Sequence, residues 1–325
     1  MDRRRAAFLA GALAAALAVP APAAPPPLRA LQWLSPSADP VIAMTLEPAE
    51  CLARRADFGR QDAAIEVGRA AFRSPLLLGG QAARAGLACE SCHRAGRGNP
   101  QFQFPGLSGE PGTADVTSSL MSSHRGNGVA DPKPIPDLSA DKAGLSIPQG
   151  AAAGALEPFL RGLIVEEFDG PAPPAAVLAG LAAYVRALDP THCPGSPGAP
   201  VTAGGHLQDS RRAVRAARDL ARAGDREAAA VMLAAARARL GLIDERYASS
   251  AFSAEKAALG EADQALAKSA ATLRNYGGDV GPQLQTWLER SERLQTLLER
   301  RQARSLYAPK QLRAALRQPL PGKAP

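Results

Sequence analysis

Residues 86–93 read Gly86-Leu87-Ala88-Cys89-Glu90-Ser91-Cys92-His93. Cys89 and Cys92 are one helical turn apart, and His93 follows directly. Thiols at that spacing can each add across one vinyl group of a haem, and the adjacent histidine then falls beneath the iron. The pattern is the signature of c-type haem attachment, and histidine is a standard axial ligand. A zinc site would need further close ligands, and the other two cysteines, Cys51 and Cys193, stand alone. A thioredoxin-like pair follows a buried strand, whereas Gly79-Gly80-Gln81-Ala82-Ala83-Arg84-Ala85-Gly86 is no strand. A Cys89–Cys92 disulfide would close a small, strained loop. The residues therefore predict one covalent haem c on Cys89 and Cys92, with His93 on the iron.

The composition agrees with such a core. Aromatic residues make up only 4% of the 325 residues, so bulky side chains are scarce and a haem would supply missing apolar volume. Much of the apolar count is alanine, the best helix former. An all-α fold is expected: a cytochrome c-like haem domain with long loops, then a C-terminal antiparallel helical bundle or hairpin.

Arg3, Arg4 and Arg5, the apolar run 6–19 and Ala21-Pro22-Ala23 have the order of a secretory signal peptide, cleaved after Ala23. An uncleaved anchor is the competing reading, but the run is short of the roughly 20 residues of a membrane span. The expected location is the bacterial periplasm. The net charge of +7 would raise the question of nucleic acid in a cytoplasmic protein. After export it points to acidic redox partners or the anionic membrane surface.

Beyond the signal the chain divides into four parts: a Pro/Ala-rich lead-in and linker at 24–56, a haem domain at 57–190, a Pro/Gly linker at 191–202 and a helical domain at 203–325. In the haem domain, helices are expected over 62–72, 156–167 and 175–188. The Gly/Pro-rich section 96–154 is too long for an idle loop and reads as wrapping a ligand. Further helices are expected over 207–222, 226–246, 252–274 and 282–305, with a short one after Pro309. Gly224-Asp225 reads as a stop followed by a cap.

Cys51 and Cys193 flank the haem domain, and an oxidising compartment favours a disulfide between them. The second axial position is open between residues. Met121 and His124, in the loop section, are the leading candidates, with a vacant iron as the third possibility. A methionine would raise the potential and suit electron transfer. Met44 and Met232 are lesser candidates, the latter read as core filler. Asp115, Glu166, Glu167 and Asp169 read as surface charges or caps rather than acid groups at the haem.

Several stretches resemble the bacterial di-haem cytochrome c peroxidase and methylamine-utilisation family. They are Gly68-Arg69-Ala70-Ala71-Phe72-Arg73-Ser74-Pro75-Leu76, then Gly86-Leu87-Ala88 before the motif, Asn99-Pro100, Phe104-Pro105-Gly106-Leu107-Ser108, Pro111-Gly112-Thr113-Ala114-Asp115-Val116-Thr117, Arg125-Gly126-Asn127-Gly128 and Val165-Glu166-Glu167-Phe168. The likeness covers residues 60–190 and implies that family's haem-domain fold. Its members carry two haem motifs and this chain has one, so peroxide chemistry is implied only weakly. An electron carrier is the leading expectation. A peroxidase-type enzyme with an open iron is the second, and a docking or sensor protein using its C-terminal helices is the third.

Overall fold

The computed structural model describes residues 27–53, 60–140, 155–192, 198–275 and 277–317. The expected signal peptide at 1–23 and Cys193 lie outside the described residues. The elements begin with α1 (Pro40–Thr45), β1 (Leu46–Glu47), α2 (Arg60–Phe72), α3 (Gly80–Ala85) and α4 (Cys89–Cys92). Among its described residues the loop section contributes β2 (Thr113–Ala114) and β3 (Lys133–Pro134). Then come α5 (Leu156–Gly162), α6 (Ala175–Ala187), β4 (Ala199–Pro200), α7 (Ala203–Arg222), α8 (Arg226–Arg246), α9 (Ser253–Asn275), α10 (Gly281–Arg301) and α11 (Pro309–Arg317). The chain is mostly helical, as an alanine-rich sequence predicts.

Local chemistry sets the ends of these helices. Asp39 Oδ1 caps α1 by accepting from Val41 N and Ile42 N at 2.8 and 3.1 Å. Thr202 caps α7 through Gly205 N at 3.0 Å. Asp225 caps α8 through Ala228 N at 3.0 Å, directly after Gly224 at φ +85°. The helix expected over 156–167 changes character part-way: α5 ends at Gly162 and one wider π-turn, Leu163–Glu167, completes it. Such turns often mark functional sites.

On the haem-motif side, α2 crosses α6 with backbones touching. A Cβ built on Gly68 would lie 1.9 Å from the Gly180 carbonyl oxygen. Helices α7 to α10 form an up-down-up-down four-helix bundle, α7 against α8, α8 against α9, α9 against α10 and α10 back against α7. Their short connections force antiparallel neighbours. Both α7 and α8 also pack on α2. One apolar core therefore runs from Ile65, Phe72 and Leu181 into Leu207, Leu233, Leu266 and Leu298.

Of the lead-in, 24–36 reads as linker and 41–51 as lying against the next domain, and the described part of the former is docked as well. Residues Arg29–Trp33 form a 3-10 turn, Leu28 is buried, and Ser35 N donates to Gln101 O at 2.8 Å. Leu28 and Val41 pack on Leu312 of α11, so the described part of the lead-in is held by the C-terminal end. The expected linker at 191–202 also has structure, since β4 pairs antiparallel with β1, Leu46 opposite Pro200. Among the described residues, no helix is long and apolar enough to cross a membrane.

Candidate functional site

The Cys89–His93 segment is built on a single turn. Helix α3 stops at Gly86, whose φ of +78° turns the chain, and buried Leu87 anchors the start of the motif. Ala88 N donates to Ser91 Oγ at 3.1 Å, and His93 N closes the turn on Cys89 O at 2.8 Å. Cys89 and Cys92 pack against the apolar core. Glu90, Ser91 and Arg94 line a cavity on the opposite face. The turn thus separates an apolar face carrying Cys89, Cys92 and His93 from a charged one.

His93 is held by the loop section. Its Nδ1 lies 3.1 Å from Pro136 O. A carbonyl only accepts, so Nδ1 carries the proton and donates. Nε2 then bears the lone pair and meets no hydrogen-bond donor among the described residues. Metal-ligating histidines are oriented in this way by their second nitrogen. Burial lowers the imidazole to about 4, keeping it in the neutral, ligating form. Ala95 and Gly96 take φ of +53° and +76° to bend the chain away. Leu138 N donates to Gly96 O at 3.1 Å and Arg97 Nε reaches Asp137 at 3.4 Å, stitching 135–138 alongside the motif. Asn99 Nδ2 secures Ser91 O at 2.9 Å.

The thiols do not resemble a redox pair. Both are free, and burial raises Cys89 to about 12 and Cys92 higher still. A dithiol for exchange chemistry needs a lowered thiol pKa. Among the described residues no group of three His, Cys, Asp or Glu side chains comes together to hold a metal ion. The residues present do fit a haem: an oriented neutral imidazole, two thiols on the same turn, and apolar surroundings.

The second-ligand candidates separate by burial. Met121 is 4% exposed, within the same core cluster against which Cys89 and Cys92 pack. Its turn is fixed where Ser119 N donates to Glu167 Oε1 at 3.0 Å and Ser122 Oγ to Glu166 O at 2.5 Å. The His124 side chain is 59% exposed, with Nε2 3.8 Å from Asp169. Met232 fills the bundle core and Met44 packs near Leu28 and Val41. Cys51 is fully buried and disulfide-bonded, while its expected partner, Cys193, lies outside the described residues.

The four carboxylates are not alike. Glu166 pairs with Arg125 at the surface, and Asp169 accepts from Ser123 Oγ at 2.7 Å. Asp115 ties its loop by accepting from Thr117, Ser118 and Asp131 backbone N–H groups, each at 3.1 Å. Glu167, by contrast, is 0% exposed, its Oε2 has no partner, and burial raises its pKa. The surface reading fails for Asp115, 3% exposed but serving as the expected cap, and for Glu167, which the π-turn rolls inward.

Behind the motif lies a buried ion network that the sequence does not reveal. Glu90 accepts from Arg73 Nε at 2.7 Å and from Arg239 Nη2 of α8. Arg73 reaches Glu50 at 2.9 Å, and Arg69 bridges Glu50, also at 2.9 Å, to Asp209 of α7. Tyr184 OH donates to Glu50 at 2.7 Å. Burial works to raise Glu50 and Glu90, but the guanidiniums outweigh it and hold both carboxyls at about 2. Asp209 is likewise held well below the usual carboxylate range against the effect of burial, chiefly by Arg73 and Arg69. No family model, curated protein or solved structure matches the chain.

Proposed function

We propose that this chain is an exported, periplasmic c-type cytochrome that carries electrons on one haem bound through Cys89 and Cys92. The observation that carries the reading is the hydrogen bond from His93 Nδ1 to Pro136 O, which aims Nε2 as a ligand beside two thiols on the same turn. The haem would supply a one-electron iron couple. The protein's part is to fix the imidazole tautomer and surround the group with apolar side chains, which tune its potential. Buried Met121 is the second ligand in this reading, and exposed His124 is not.

The signal sequence supports export, and the resemblance over 60–190 supports a haem domain of the di-haem peroxidase kind in single-haem form. The net charge of +7 supports acidic redox partners. A peroxidase-type enzyme is a second reading, favoured by Glu167: a buried carboxyl with a raised pKa, bonded to the turn of Met121, has the properties of an acid–base group. The visible spectrum of the periplasmically matured protein separates the readings. A low-spin reduced spectrum unchanged by carbon monoxide, with a sulfur–iron charge-transfer band when oxidised, supports the carrier. A high-spin spectrum shifted by carbon monoxide supports the enzyme. No haem spectrum, under conditions that mature other c-type cytochromes, rejects both.

A further inference from the structure

The cavity behind the haem motif has a volume of about 400 Å³ and lies between α4, the lead-in and α8. It is lined by Glu90, Ser91 and Arg94 of the turn and not by Cys89, Cys92 or His93. Its apolar wall includes Leu28, Trp33, Met44 and Leu242. Its charges do not balance. Glu90 is matched by Arg73 and Arg239, and Glu245 by Arg29 at 3.4 Å. That leaves Arg94, Arg246 and Glu47.

Arg94 donates only to backbone carbonyls, to Ala43 O at 2.6 Å and to Leu46 O. Arg246 also donates only to carbonyls, to Met44 O at 2.7 Å and Leu306 O at 3.2 Å, with its guanidinium stacked 4.6 Å from the Tyr307 ring centroid. Neither touches a carboxylate among the described residues. Each is deprived of water, and Arg246 also feels the repulsion of Arg94. Glu47 attracts both from beyond contact distance. Buried Arg246 and half-buried Arg94 thus have no carboxylate in contact, and a charge removed from water without a contacting partner is costly.

We infer that this cavity binds a small apolar carboxylate, its carboxyl group between Arg94 and Arg246 and its body against Trp33 and Leu242. A guanidinium offers a carboxylate parallel N–H donors, and two such groups around one anion make the strongest neutral-pH contact available here. A cavity of about 150 Å³ holds a benzene ring. A volume of about 400 Å³ therefore takes an aromatic or medium-chain acid with room for a linker, and is too small for a dinucleotide.

The test is calorimetric titration of the full-length matured protein with phenylacetate and hexanoate, with sulfate and neutral phenylacetamide as controls. Both carboxylates are expected to bind at one site, and the controls at least about tenfold more weakly. Arg246→Gln should weaken carboxylate binding at least about tenfold. That variant also loses two carbonyl contacts, so Gly241→Leu serves as a second. Gly241 is exposed on α8 at the cavity wall, and a Cβ there meets nothing within 4 Å. Leucine is the better helix former, so Gly241→Leu should keep or raise Tm while blocking the cavity and cutting binding by a similar factor. No binding of either acid to the folded wild type overturns the proposal. So does sulfate binding as tightly as the acids, or undiminished affinity in Gly241→Leu.

Discussion

His93 has one proton to place, and Pro136 O decides where it goes. The ring cannot rotate without breaking that bond, so its lone pair stays aimed in one direction. Two substitutions test what surrounds it. On the proposed function, serine at both Cys89 and Cys92 removes the thioether donors, and acid–acetone should then extract a haem that the wild type is expected to retain. Met121→Ala empties a buried position; if Met121 is the ligand as proposed, the oxidised variant should lose its sulfur–iron charge-transfer band and the reduced variant should begin to bind carbon monoxide. A spectrum unchanged in Met121→Ala would remove Met121 as ligand. Cys89, Cys92 and His93 can be singled out together in sequence because the residues adjoin. Pro136 is not legible, being 43 residues away inside a loop with no periodicity. Glu167 is misread because a glutamate beside another glutamate looks like surface, and nothing local announces a π-turn.

At the scale of elements, helix edges follow sequence signals closely, while contacts between helices do not. Gly224-Asp225 is readable because stop and cap are local chemistry. Gly68 and Gly180 are far apart in sequence, and neither tells its neighbours that α2 and α6 must touch there. Their closeness has a definite energetic meaning. A methyl group at 68 would collide with backbone, not with a movable side chain. Gly68→Ala should destabilise by about 3 kcal/mol, the upper part of the usual range for overpacking, even though alanine favours the helix. Urea unfolding measures it, and a loss below about 1 kcal/mol would mean the helices separate easily. The lead-in shows the opposite failure: a stretch rich in proline and alanine reads as linker, yet Leu28 and Trp33 are enough to dock it.

Across the whole molecule, the buried network joins the lead-in, α2, α4, α7 and α8 through Glu50, Arg69, Arg73, Glu90, Asp209 and Arg239. Ionised carboxylates of this kind tie stability to pH. Glu50 sits at about 2 in the fold against an ordinary 4.5. Its contribution is complete above 4.5 and is lost as pH falls toward 2, an amount on the order of 3 kcal/mol at about 1.4 kcal/mol per unit. Asp209 acts in the same direction. Urea midpoints should therefore fall between about pH 5 and about pH 2, and Glu50→Gln should be less stable at neutral pH but show a shallower fall. Arg239→Met leaves Glu90 buried with one partner fewer and should cost about 3–5 kcal/mol. A loss under about 1 kcal/mol would mean that the bundle is held by its apolar core alone. The helical class is legible from alanine content and periodicity. The union of the two halves was not, because it depends on charges that look solvated until the fold encloses them.

That enclosure imposes an order on assembly. Glu90 stands inside the haem motif, and Arg239, which grips it, is synthesised 149 residues later. Until α8 docks, Glu90 lacks the Arg239 contact that covers the back of the turn. Once Arg239 has closed on Glu90, the same residues are locked in a turn with their back covered. On the proposed function, haem attachment would therefore have to precede docking of the C-terminal half onto the exported chain.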